Sequence, residues 1–203
     1  MKGRRQRSNQ ELRTRKDLLQ AAARLLKAGR KPNMDEVARE ALVSRATAYR
    51  HFKNVDALLV EAPIDAAVRT PEEILSGLAS EDPEERIDYA EADMHRTVYE
   101  NEAQLRLMMA QSLTLALENP DVPVRQNRRL PLIEAALAPV RDQLEPQAYQ
   151  QLCYALAVLF GPEAMIVFRD VLRTDEPTAR AVKSWAVRAL VRAARPPRRR
   201  RDR

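Results

Sequence analysis

The chain is poor in the residues that mark several common functions. Its single cysteine, Cys153, rules out an intrachain disulfide framework or a thiolate metal cluster and fits a reducing compartment. Cys153 lies in an apolar stretch with helical spacing and reads as a small buried hydrophobe. The only two histidines, His51 and His95, lack a nucleophile or metal-ligand partner at a useful spacing. GxGxxG, P-loop, HExxH and GxSxG patterns are missing. No catalytic residue, metal or cofactor is therefore expected, and the chain is not expected to be an enzyme.

Glycine is equally scarce, with four residues, while Ala, Leu, Arg and Glu are abundant. That balance favours helices over strands, and no alternating strand pattern or internal repeat stands out. The basic start, Met1 to Arg7, is followed by no apolar segment, so no signal peptide is read there. The most apolar stretch, Leu152 to Phe168, is interrupted by Gly161-Pro162-Glu163 and is marginally short for a membrane span. It reads as a buried helix. The expected location is the cytoplasm, with no membrane partner.

What is present is sufficient for a core: 45% of the residues are hydrophobic, so wholesale disorder is not expected. The formal charge of +6 is unevenly spread. Residues 1–62 carry 15 Lys/Arg against 7 Asp/Glu, and residues 195–203 carry 6 Arg against 1 Asp. The middle, 63–194, holds 14 basic and 21 acidic residues. A basic head on an acidic body points to a polyanion that meets the head only.

Punctuation along the chain divides it further. Residues 1–10 read as a flexible basic arm. Leu18, Ala22, Leu25 and Leu26 give a first helix over 11–27, ended by Gly29 and Pro32. Asn33 with Glu36 forms a capping box for a second helix, and Leu42-Val43 makes a tight corner. Ser44 caps a short third helix, Arg45 to Phe52. Asn54 caps a fourth, expected to stop at Ala62 before Pro63. Thr70-Pro71-Glu72-Glu73 and Asp82-Pro83-Glu84-Glu85 each read as a helix start, with proline in the first turn and carboxylates facing the positive end of the dipole. Further helices are expected near 71–79, 83–100, 102–118, 123–144, 147–173 and 177–194, with Pro131 and Pro139 kinking or splitting the fourth of these. The arginine-rich end, 195–203, is expected to be disordered.

Two short helices joined by a tight corner, after one supporting helix, have the dimensions of a helix-turn-helix over 11–62. Val37, Ala38, Val43, Ala48, Tyr49 and Phe52 can hold the pair at a fixed angle. Arg45, Thr47 and Arg50 then face outward on a helix short enough for the major groove. The arginines can offer paired donors to guanine or phosphate, and Thr47 a methyl and a hydroxyl. Tyr49 and His51 are expected to donate to phosphates, and Lys53 to extend the positive rim. With Ser44 at its cap, this surface is the candidate DNA-binding site. The free amides near Asn54 make a phosphate seat.

The run Met34 to Phe52, and in particular Ala41-x-Val43-Ser44-x-x-Thr47-x-Tyr49-x-His51-Phe52, resembles the signature of the TetR family of bacterial regulators, from about Leu12 to Glu61. The resemblance implies an all-α protein: a three-helix DNA-binding head on a larger helical ligand-binding and dimerisation body, here 63–194. It implies a transcriptional regulator, in most members a repressor that leaves its operator when a small molecule binds. The family usually has glycine where this chain has Leu42, and lysine where it has Val55. A leucine forced to positive φ costs roughly 1 kcal/mol or more. The missing lysine removes a phosphate contact that Lys53 can take over.

The resemblance also implies a homodimer built on the last two long helices, as a four-helix bundle between subunits. Leu152, Leu156 and Leu159, with Val182, Trp185 and Ala189, form apolar stripes suited to that role, or to burial within one subunit. A two-fold dimer would read a near-palindromic duplex. Met94, His95, Tyr99, Met108 and Met109 are candidate linings of an effector pocket or plain core, and the effector is unidentified. An activator of the same fold, and a non-specific architectural DNA-binding protein suggested by the arginine tail, are the rival readings.

Overall fold

The computed structural model describes residues 2–29, 31–118 and 125–195. Among them there is no strand; the regular structure is entirely helical. The chain forms two compact units. One comprises 1–68 with 101–126, the other 69–100 with 127–203.

The first unit is built from α1 (Lys2–Lys27), α2 (Met34–Glu40), α3 (Arg45–His51), α4 (Val55–Ala67) and α7 (Glu102–Glu118). Leu18, Leu19 and Ala22 of α1 pack with Val37, Ala38, Ala48, Phe52 and Leu58 in one buried cluster. Helical backbone reaches back to Lys2, into the stretch expected to be a flexible arm. α4 does not stop at Ala62; it continues through Pro63 to Ala67. Proline removes one backbone hydrogen bond, but Ala62 and Ile64 on either side of it are buried, and that packing carries the helix on. α7 packs against α4 within this unit, and its Leu105, Met108 and Leu115 are buried.

The second unit holds α5 (Pro71–Leu75), α6 (Pro83–Glu100), α8 (Arg129–Ala136), α9 (Pro146–Leu159), α10 (Pro162–Ile166) and α11 (Glu176–Ala194). Its core gathers Ile87, Leu132, Ile133, Leu137, Leu156, Phe160, Val187 and Val191. Thr70 and Glu73 close a capping box on α5, which ends at Leu75, short of the expected 79. The expected helix over 123–144 is replaced by α8 and a separate 3-10 turn, Ala138–Gln143, that has Pro139 in its first turn. Residues 119–124 lie outside the described residues, as does the arginine-rich end from 196 onward.

The long apolar segment breaks at Gly161, whose φ of 107° is open to glycine. A Cβ there would sit 2.9 Å from the Arg129 guanidinium, which is bonded to the Ala157 carbonyl at 3.2 Å and paired with Glu163. α10 follows, then a π-helical turn, Val167–Val171. Among the described residues no single helix is long and apolar enough to cross a membrane; α9 and the segment Pro162–Val171 meet at 47°.

Candidate nucleic-acid interface

The local chemistry of the head fixes α3 from both ends. Asn33 Oδ1 accepts from the Glu36 amide at 3.0 Å, and Glu36 returns a carboxylate to the Asn33 amide at 2.9 Å, which starts α2. The helix ends in a reverse turn in which the Val43 amide donates to the Ala38 carbonyl at 2.9 Å and the Leu42 amide to Arg39 at 3.1 Å. That pattern needs a left-handed residue between them. Leu42 supplies it at φ 57° with its side chain 92% exposed, so the leucine bears the strain and buries nothing in return. Ser44 Oγ then accepts from the Thr47 amide at 3.1 Å and lies 2.9 Å from Thr47 Oγ1.

Across α3, Ala48 and His51 turn inward, and Phe52 follows them into the core. Arg45, Ala46, Tyr49 and Arg50 are exposed, and Thr47 is half-buried beside exposed Ser44. One face of a seven-residue helix therefore presents two guanidiniums, a phenol and a hydroxyl pair. That set can donate to base edges and phosphate oxygens. Arg45 donates to Asp35 of α2 at 3.0 Å and its guanidinium lies 5.5 Å from the Tyr49 ring centre. Arg50 Nη2 donates to both carboxylate oxygens of Glu11 in α1 at 3.2 Å.

His51 does not join that surface. It is fully buried, with Nε2 3.0 Å from Glu11 Oε2. Burial, reinforced by the Arg15 and Arg50 charges and opposed by Glu11, brings its pKa down to about 4. The expected phosphate contact is corrected: at one residue beyond Arg50 the side chain has rotated by about 100° toward the core. Lys53 is exposed, but its ammonium is 2.8 Å from Glu118 of α7. Asn54 caps α4 through the Ala57 amide at 2.8 Å.

A residue not singled out from the sequence holds the head together. Arg15 is buried on α1, donates to the His51 carbonyl at 2.7 Å, pairs with buried Glu61 and lies 4.0 Å above the Phe52 ring. The signal was available: Arg15, Leu18, Leu19 and Ala22 share one helix face at spacings of three and four.

The candidate effector residues are divided. Met108, buried, and Met109, half-buried, belong to α7 in the first unit. Met94, His95 and Tyr99 belong to α6 in the second. His95 is buried, stacks on Tyr99 with ring centres 4.3 Å apart, and among the described residues has no hydrogen-bond partner at either ring nitrogen. Glu176 lies 3.7 Å from its Nε2. Burial, with the nearby Lys183, Arg180 and Arg169 charges, lowers its pKa to about 4. Arg169, in the π-helical turn, sits 4.9 Å above the Tyr99 ring.

The candidate dimer residues also separate. Leu152 and Leu156 are core residues of their own unit and Leu159 packs half-buried against the same cluster, so these three follow the alternative of burial within one subunit instead of the place expected for them at a dimer interface. The inward stripe of α9 is Tyr149, Leu152, Cys153 and Leu156. Its outward stripe includes Tyr154 and Val158, both exposed. On α11, Ala189 is half-buried, Val182 is exposed and Trp185 is 72% exposed.

Residues 18–62 match the family model described as bacterial regulatory proteins, tetR family. No curated protein and no solved structure matches the chain.

Proposed function

We propose that this chain, whose residues 18–62 match the family model of bacterial tetR-type regulatory proteins, is a homodimeric repressor that binds a near-palindromic operator and leaves it when a small molecule binds the body. The exposed face of α3 carries the reading. Arg45, Thr47, Tyr49 and Arg50 are displayed together on a helix whose other side is locked into the core. Arg45 and Arg50 are the base-reading candidates; Tyr49 and the Ser44–Thr47 hydroxyls set register on phosphates.

Dimerisation is supported by apolar side chains that the second unit leaves open on neighbouring helices: Tyr154 and Val158 on α9, Val182 and Trp185 on α11. A cluster of this kind on a soluble protein marks an interaction surface. An isologous pairing through it would present two recognition helices to one duplex.

An effector site is supported by the cluster of buried His95 with half-buried Tyr99 and Arg169, the last of these within a π-helical turn, a distortion frequent at functional sites. Release follows from linkage. A ligand that prefers a body conformation with mismatched heads lowers DNA affinity, and DNA lowers ligand affinity by the same factor.

Selection of bound sequences from random duplex DNA tests the reading. Enrichment of one near-palindrome supports it; uniform, salt-dependent retention of all duplexes favours the architectural alternative. Location of that palindrome relative to a promoter separates repression from activation.

A further inference from the structure

Both outward arginines of α3 are already engaged, each by a carboxylate on a different supporting helix. Glu11 of α1 accepts two contacts from Arg50 at 3.2 Å, and Asp35 of α2 accepts from Arg45 at 3.0 Å. The two acids are not equivalent. Glu11 is four-fifths buried and also lies 3.0 Å from His51 Nε2, so it is fixed; Asp35 is half-exposed and holds an arginine already placed beside the Tyr49 ring. For a surface meant to meet a polyanion, a carboxylate at each arginine is electrostatically costly: it repels phosphate and cancels attraction. Simple charge attraction would favour leaving both arginines free.

We propose that Glu11 and Asp35 are positioning residues that set the sequence specificity of this head, by holding Arg50 and Arg45 in the orientation that reads a base edge. The inference rests on the reading of α3 as a DNA-recognition helix. A free arginine has many rotamers and can satisfy itself on any phosphate. One tethered through part of its guanidinium gives up that freedom before binding and still has N–H donors for guanine O6 and N7. The same carboxylate repels a phosphate that would otherwise capture the arginine in a wrong register. Specificity therefore rises while affinity for random duplex falls.

The experiment measures relative affinities of the full-length protein for its selected operator, for every single-base variant of that operator, and for random duplex. It is done with the wild type, Glu11→Gln, Arg50→Ala and the double variant, and in parallel with Asp35→Asn, Arg45→Ala and their double. Glu11→Gln is expected to reduce discrimination at the base pair read by Arg50 by about tenfold, on the order of one paired base contact. It should tighten random-duplex binding severalfold at low salt. In the Arg50→Ala background the same change should alter discrimination less than about twofold. Asp35→Asn should act likewise on the base pair read by Arg45, without touching buried His51. Unchanged discrimination in Glu11→Gln and Asp35→Asn would overturn the proposal, as would an equal loss with and without the partner arginine. If the wild type itself prefers no duplex, the recognition-helix reading fails first and this inference with it.

Discussion

Lys183 and Glu91 form an ion pair in which the two side chains keep only 1% and 0% of their surface accessible. They link α11 to α6, and a second cation, Arg180 Nη1, stands 3.2 Å from the other Glu91 oxygen. Burial pushes the Glu91 carboxyl up and the Lys183 ammonium down, each against the pull of its partner. Lys183→Met should cost up to about 3–5 kcal/mol, because it takes the nearer of two cations from a desolvated carboxylate and leaves Arg180 to hold it. Changing Glu91→Leu as well should recover most of that loss. Urea unfolding midpoints check both statements; equal midpoints for the wild type and Lys183→Met would contradict the first.

Leu42→Gly should stabilise the head by about 1 kcal/mol. The leucine holds a left-handed backbone that glycine adopts freely, and its side chain makes no buried contact to lose. Glycine's greater freedom in the unfolded chain offsets part of the gain. Thermal unfolding followed by helix signal is the measurement, with a lower midpoint as the contrary result.

Acid should unfold the protein early. His51 faces Glu11, Arg15 and Arg50; His95 faces Lys183, Arg180, Arg169 and Glu176. Each is held neutral in the folded state down to about pH 4, whereas the unfolded chain protonates near 6.5. The unfolded state therefore takes up protons first, and stability falls as the pH drops from 6.5 toward 4. The slope is at most about 1.4 kcal/mol per pH unit for each histidine. His51→Gln should flatten the stability–pH curve across that window; an unaltered slope would argue against a buried neutral His51.

Arg50→Ala should lower operator affinity by about 1–3 kcal/mol if Arg50 makes a paired base contact. The loss should be concentrated at one base pair in each half-site. A uniform loss across all sequences would instead place Arg50 on phosphate.

Trp185→Ala should leave the unfolding of each subunit nearly unchanged, since the indole is 72% exposed there. If the proposed dimer forms through this surface, the change should weaken dimerisation by about 2 kcal/mol or more, as for a central aromatic at an interface. Sedimentation over a dilution series distinguishes the cases, and identical profiles would remove Trp185 from the interface.

The sequence speaks most clearly where one residue type has one physical use. Asn33, Ser44, Asn54 and Thr70 all cap the helices expected of them, because a short polar side chain before an apolar run has few other roles. The helices at 83–100 and 102–118 likewise begin and end where expected. Legibility fades where tertiary packing overrides a local rule. Pro63 is a helix breaker by itself, but buried Ala62 and Ile64 hold α4 straight through it. Which stripe of α9 faces inward could not be settled by apolarity, because Tyr154 and Val158 are as hydrophobic as much of the core. His51 departs from expectation for a different reason. Its chemistry suits phosphate, yet its register three residues after Ala48 already put it on the inner face.

Arg15 ties the carbonyl at the C-terminal end of α3 to Glu61 on α4, while Ser44 secures the other end. The recognition segment is thus clamped like a blade in a handle, with no slack for it to uncoil or swivel alone. If a small molecule releases the protein from DNA as proposed, α3 should keep its amide-exchange protection in the liganded protein, and loss of that protection would show that the helix itself melts.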